Sequence, residues 1–273
     1  MRKSINYRGG RVTYEDMGEG MPVLLLHGFG EDSWIWSDFA AKLKEHYRVI
    51  IPDLPGSGDS ELHPSLTIDS MADAMAELLG HENITEAIVI GHSMGGYITL
   101  ALAEKHPDLI HAIGLFHSTA FADSDEKKNT RRKNIKFIQS HGSGDFIKQS
   151  LPALFSDGFK SRHEKVVNQL IDRYKKFNRD ALIAYYEAMI QRPDRTEVLK
   201  TIQKPVLLII GKYDTAIAFD DSLKLCHLPA LSYIHILENS GHMGMLEEPA
   251  LSYEIVFNFL ESITIKQDDD QVM

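Results

Sequence analysis

Gly91-His92-Ser93-Met94-Gly95 sets a serine between glycines, directly after an apolar run (87–91) and directly before a helix-forming stretch (94–105). A strand-to-helix turn lifts such a hydroxyl clear of the backbone, and it needs small residues at Gly91, Gly95 and Gly96 where chain segments crowd. A serine hydroxyl is a weak nucleophile at neutral pH. A base must take its proton, and a carboxylate must fix the tautomer and orientation of that base. Asp214, in Gly211-Lys-Tyr-Asp214, and His242, in Asn239-Ser-Gly-His242, each follow an apolar run and supply both groups. Asp220 and Asp221 are fallback carboxylates, but they fall where the next helix should already have begun. Acyl transfer on Ser93 also needs two donors for an oxyanion. The backbone N–H of Met94, at a helix N-terminus, is one; that of Phe29, in His27-Gly-Phe-Gly30, is the other. His27 itself is expected to hold that loop by packing and hydrogen bonding.

These positions are far apart in the chain, so a sheet must gather them. Residues 22–27, 48–52, 87–91, 110–116, 205–211 and 233–237 are apolar runs of the kind buried on both faces of a sheet. Helical stretches at 34–45, 68–79, 94–105 and 249–261 alternate with them, and the β-prone runs 5–7 and 11–15 flank Gly9-Gly10 as a hairpin would. The alternation implies an α/β fold with a parallel sheet and helices on both faces. In such sheets, strand ends at one edge bring distant residues together. Between 119 and 204 the rhythm breaks: Ile135, Ile138, Val166, Leu170, Tyr174, Leu182 and Tyr186 follow helical spacing, and no strand-like run occurs. The chain therefore divides into a core, 1–118 and 205–273, and an inserted helical cap, 119–204. Asp268-Asp269-Asp270 reads as part of a frayed acidic tail.

A chain of 273 residues suits one core with an insertion. With 43% apolar and 25% charged residues it has the composition of a soluble globular protein, which excludes fibrous and wholly disordered classes. The net charge of −10 opposes nucleic acid or an anionic membrane as the main partner. That charge is unevenly placed: 119–204 holds 18 Lys and Arg against 11 Asp and Glu, and the remainder 11 against 28. Opposite charge should help seat the cap on the core. A sharper expectation is that some of Arg131, Arg132, Lys133 and Lys136 face the cleft and draw in carboxylate-bearing substrates. No apolar run is long enough to span a membrane and the N-terminal residues lack the apolar region of a secretory signal, so a cytoplasmic location is expected. The single cysteine, Cys226, cannot form an internal disulfide and is expected as a small buried apolar residue. Gly28-x-Gly30-x-x-Ser33 followed by Asp53 invites a dinucleotide-binding reading. Glu31 and Asp32 oppose it, standing where a pyrophosphate would sit. Phosphate-loop and zinc motifs are missing, so neither a metal nor another cofactor is expected.

Together, His27-Gly-Phe-Gly30, Asp53-Leu-Pro-Gly-Ser-Gly-Asp-Ser60, Gly91-His-Ser-Met-Gly-Gly96, Gly-Lys-Tyr-Asp214 and Gly-His242-Met-Gly-Met-Leu-Glu-Glu-Pro249 resemble the motifs of α/β-hydrolase-fold enzymes with a helical cap. The resemblance runs over nearly all of 23–260. It implies a mostly parallel eight-stranded sheet with helices on both faces and a catalytic triad; in such enzymes the segment like 53–60 is a structural turn. A serine nucleophile separates the chain from relatives that use aspartate, such as haloalkane dehalogenases and epoxide hydrolases. Phe116-His-Ser-Thr-Ala-Phe-Ala-Asp-Ser124 is similar to the cap segment of carboxylesterases and enol-lactonases. Carbon–carbon hydrolases commonly carry Asn where His92 stands and Trp where Met243 stands, and cofactor-free haloperoxidases carry Trp at Phe29, which weakens both readings. The expected activity is hydrolysis of a small or medium carboxylic ester, lactone or thioester through an acyl-enzyme on Ser93. The alternative is a small-molecule receptor of the same fold with weak or no turnover. His92 is expected to be structural, while His117, Phe121 and Met243 are candidates for lining the pocket.

Overall fold

The computed structural model describes residues 2–264; the acidic run at 268–270 lies outside the described residues. Among the described residues, eight strands form one sheet: β1 (Arg2–Tyr7), β2 (Gly10–Met17), β3 (Pro22–Leu26), β4 (Arg48–Pro52), β5 (Ala87–His92), β6 (Ile110–Phe116), β7 (Val206–Gly211) and β8 (Ser232–Leu237). Their spatial order is β1-β2-β4-β3-β5-β6-β7-β8. β1, β2 and β4 pair antiparallel, and every pairing from β4 through β3 to β8 is parallel. The β1–β2 turn falls on Arg8 and Gly9, one residue earlier than the Gly9-Gly10 expectation. Both take positive φ, 48° and 84°, and Gly10 already pairs with Tyr7. The apolar runs are uninterrupted because β5, β6 and β7 are buried at every residue.

The helices that frame the sheet are α1 (Ser37–Leu43), α2 (Ile68–His81) and α3 (Met94–Lys105). α2 starts at a capping box, in which Thr67 accepts from the Ser70 N–H (3.0 Å) while the Thr67 N–H donates to the Ser70 hydroxyl (2.9 Å). It packs on α3, which lies against β5 and β6. Between β6 and β7 come α4 (Asp125–Ser150), kinked at Gly142, then α5 (Asp157–Arg162), α6 (Glu164–Tyr174), α7 (Arg179–Gln191) and α8 (Thr196–Thr201). α9 (Phe219–Leu225), α10 (Gly244–Glu247) and α11 (Pro249–Thr264) complete the chain. This is the α/β-hydrolase fold.

Basic side chains of the helical stretch meet acids of the sheet-bearing part. Arg195 bonds Asp69 on α2 (2.7 Å) and Glu104 on α3 (2.9 Å), and Arg173 bonds Asp32 (2.8 Å). Asp69 and Glu104 are partly exposed, so each pair contributes modestly. Cys226 is half-buried rather than buried, its thiol 3.5 Å from the Ser222 carbonyl. No helix among the described residues is long and apolar enough to cross a membrane.

Candidate active site

Strand order reverses at β3, which has β4 on one side and β5 on the other. A parallel sheet opens a crevice past its carboxyl ends at such a point, and the turns leaving β3 and β5 flank it. Ser93 forms the second turn with φ 52° and ψ −114°, a conformation that surrounding contacts must hold. Its N–H donates to the Phe116 carbonyl (3.0 Å), and its own carbonyl accepts from the Ser118 hydroxyl (2.7 Å). A Cβ on Gly91 would lie 2.2 Å from the Gly95 carbonyl carbon, and one on Gly95 would lie 2.5 Å from the Leu26 carbonyl oxygen. The glycines of the motif are therefore a requirement of close backbone approach.

Met94 opens α3, so its N–H has no acceptor within the helix. Neither it nor the Phe29 N–H donates to an acceptor among the described residues. The loop carrying Phe29 is fastened from below. His27 Nε2 accepts from the Leu54 N–H (3.0 Å), which leaves its Nδ1–H to donate to the Gly28 carbonyl (2.8 Å). The Phe29 ring packs against Tyr186 of α7 (centroids 4.3 Å apart) and edge-on to Phe146 of α4 (6.1 Å), so this loop touches the helical stretch directly.

Asp214 follows β7 and His242 follows β8, as adjacent parallel strands place them. His242 Nδ1 and Asp214 Oδ2 are 2.7 Å apart, and both side chains are buried. The other Asp214 oxygen accepts from the N–H groups of Ala216 (2.8 Å) and Ile217 (2.9 Å). Burial opposes ionisation of Asp214, but the facing His242 ring, His117 and the Ile217 N–H outweigh it and hold the carboxyl below its ordinary range. The imidazole is thus held through Nδ1, leaving Nε2 for chemistry. The Ser93 hydroxyl has no hydrogen-bond partner among the described residues. In free enzymes such contacts are often long and tighten only with substrate.

Ser93, His242 and Phe29 line one cavity of about 490 Å³, a volume in the range that holds small ligands. Asp214 sits behind His242 and does not line it, and Met94 is in the core beneath. The other candidates lie elsewhere. Met243 is core, and Phe121 is half-buried outside the lining. His117 is buried behind Asp214 and His242, with positive φ (48°). The Gly244 N–H donates to His117 Nε2 (3.1 Å), so the proton of the neutral ring is on Nδ1, 3.7 Å from Asp214 Oδ2. Burial keeps His117 well below the usual histidine value. Of the four basic residues expected near the cleft, Arg131 lines the cavity; Arg132, Lys133 and Lys136 are exposed outside it. Asp221, on α9, reaches the lining but is bonded to Lys224 (2.7 Å). Asp53 accepts from the N–H groups of Ser33 and Asp59 (both 2.9 Å) and organises its turn.

Sequence reasoning missed two participants. Lys127 lines the cavity one turn before Arg131, on the same helix face, and that spacing was the available signal. Glu31 is buried under the Phe29 loop, where no motif marks it. Among the described residues, no three His, Cys, Asp or Glu side chains are grouped as metal ligands would be.

Residues 23–254 match the alpha/beta hydrolase family, and the chain belongs to it. It is 25% identical over 269 residues to the 2-hydroxy-6-oxo-6-(2'-aminophenyl)hexa-2,4-dienoic acid hydrolase of Metapseudomonas resinovorans, an alignment covering 95% of this chain and 91% of that one. It is 25% identical over 264 residues to 3-oxoadipate enol-lactonase 1 of Acinetobacter baylyi, covering 94% and 96%. Among solved structures, a malate-bound thermophilic esterase from Thermogutta terrifontis superposes with a TM-score of 0.91 at 28% identity, covering 96% of this chain and 99% of that one.

Proposed function

We propose that this protein hydrolyses a small or medium carboxylic ester, or a lactone or thioester, through an acyl-enzyme on Ser93. The observation that carries the reading is the 2.7 Å bond from the buried Asp214 carboxylate to His242, whose ring lines one cavity with Ser93. His242 Nε2 takes the Ser93 proton as Oγ attacks the ester carbonyl. The N–H groups of Phe29 and Met94 receive the oxyanion, the latter aided by the α3 dipole. His242 then protonates the leaving alkoxide, and the acyl group stays on Ser93. Water, deprotonated by His242, attacks the acyl-enzyme; collapse returns the proton to Ser93 and releases the acid. The reading assigns 119–204 as a cap over this chemistry, supported by the Phe29 contacts to α4 and α7. It also includes a cytoplasmic location, which the lone cysteine suits.

Hydrolysis of p-nitrophenyl acetate and butyrate tests the proposal. Wild type should turn over at least one, and Ser93→Ala should lower kcat by about a thousandfold or more. Equal rates in the two proteins would contradict it.

A further inference from the structure

One wall of the cavity carries more positive than negative charge. Asp123, whose side chain is fully buried, holds two guanidiniums at once: Arg131 Nε on Oδ2 and Arg192 Nη2 on Oδ1, the latter at 2.9 Å. Asp123 balances one of them, and Asp194 acts on Arg192 only from beyond ion-pair contact. Arg192 also lies over the Tyr97 ring (3.8 Å) and Arg131 over the Tyr186 ring (5.6 Å), and both tyrosines line the cavity. Lys127 adds a further cation. Its Nζ donates to the neutral carbonyl of Ala216 (2.8 Å), and no carboxylate among the described residues pairs with it. Burial would push the Tyr97 phenol up, yet Arg192, Lys127 and Arg131 together bring it below its ordinary value. The acids lining the same cavity do not cancel this charge. Glu31 is engaged by His92 (3.0 Å) and Asp221 by Lys224 (2.7 Å), which leaves Glu126, exposed to solvent.

Burying two guanidiniums on one carboxylate costs free energy that a negatively charged ligand group would offset. We propose that Lys127 and Arg131 form an anionic subsite that takes a carboxylate carried by the substrate. The preferred substrates are then monoesters of dicarboxylic acids, or lactones bearing a free carboxylate. This inference rests on the ester-hydrolase reading and specifies its substrate class.

The probes are p-nitrophenyl hemisuccinate and p-nitrophenyl butyrate, which share a leaving group and acyl length and differ by a terminal carboxylate. The ratio of their kcat/KM values should favour hemisuccinate by about tenfold or more, the effect of one charge-assisted contact. Lys127→Gln and Arg131→Gln should each lower that ratio by about tenfold, and Lys127→Gln suffices if the half-buried Arg131 proves essential for folding. Lys133→Gln removes the same charge from an exposed position of α4 and should leave the ratio within about twofold. Calorimetric titration of Ser93→Ala with the two esters reads binding apart from turnover, and hemisuccinate should again bind about tenfold tighter. No preference for hemisuccinate in binding, or an equal fall in Lys133→Gln, overturns the subsite. Turnover of neither ester, with the binding preference intact, overturns the hydrolase reading and supports the subsite.

Discussion

Glu31 and His92 form a buried ion pair beside the turn that carries Ser93, with Oε2 3.0 Å from Nδ1. The second ring nitrogen of His92 faces the His242 carbonyl at 2.9 Å. A carboxylate and a carbonyl only accept, so His92 donates from both nitrogens and carries the extra proton. Burial disfavours the imidazolium, but Glu31 and the His242 carbonyl outweigh it and raise the pKa of His92. Burial likewise opposes the Glu31 carboxylate, and His92 with the Gly28 N–H brings it below its ordinary value. The same Glu31 oxygen accepts from the Gly28 N–H (2.6 Å), one residue before Phe29. The pair therefore ties the proposed oxyanion loop to the backbone of the proposed base.

Removing one partner leaves the other charged and unpaired. Glu31→Gln should lower stability by about 3–5 kcal/mol in urea unfolding. In a double-mutant cycle with His92→Gln, the combined loss should fall short of the sum by about 1 kcal/mol or more. Strict additivity would show that the two groups do not interact.

Two neighbouring histidines should give opposite pH signatures. A raised His92 contributes stability that is fully present below the unfolded value of about 6.5 and is lost as pH rises through its folded value. A depressed His117 contributes stability that is present above that unfolded value and is lost as pH falls toward its folded one. Urea midpoints followed from about pH 5 to 9 should flatten on the alkaline side in His92→Gln and on the acid side in His117→Asn. The reverse assignment would contradict both proton placements.

Much of this was legible in the chain, for identifiable reasons. β5, β6 and β7 appear as unbroken apolar runs because both of their faces are covered, and the glycines around Ser93 are dictated by backbone approach. Asp214 was findable because it follows β7, a strand buried at every residue, and His242 because it follows the apolar run at 233–237, although β8 lies at the sheet edge and is half-buried rather than covered on both faces. His117 and Met243 were expected at the pocket on the same reasoning, but a residue past a strand end can equally turn inward. At His117 the left-handed backbone directs the ring behind Asp214. Glu31 escaped because a buried carboxylate is recognised by its partner, and His92 lies 61 positions away.

Glycines inside and outside the crowded turn should respond oppositely to a methyl group. Beyond its chain neighbours and the backbone of its own helix turn, Gly80 in α2 has no atom within 4 Å of an added Cβ. Gly80→Ala should therefore stabilise by about 0.5–1 kcal/mol, a rise in Tm of about 1–4 °C. Gly95→Ala would place its methyl against the Leu26 and His27 carbonyls (2.5 and 2.7 Å). It should cost about 1–3 kcal/mol and abolish ester turnover. Thermal melts of the two variants check the pair, and a stable, active Gly95→Ala would refute the tight-turn account.

His117 accepts from the Gly244 N–H, so its replacement orphans a buried donor. His117→Ala should lose about 1–3 kcal/mol of stability in urea unfolding. His117→Asn, which can offer an amide oxygen, should recover part of that loss. No difference between the two variants would remove the proposed role of the ring.

The central claim is that Ser93 is an activated nucleophile served by His242. Reaction with a fluorophosphonate, followed by mass spectrometry of the digested protein, tests it most directly. The account predicts one covalent adduct, on the peptide carrying Ser93, with labelling slowed by about a thousandfold or more in His242→Ala. An adduct on another residue, no labelling, or unchanged labelling in His242→Ala would contradict it.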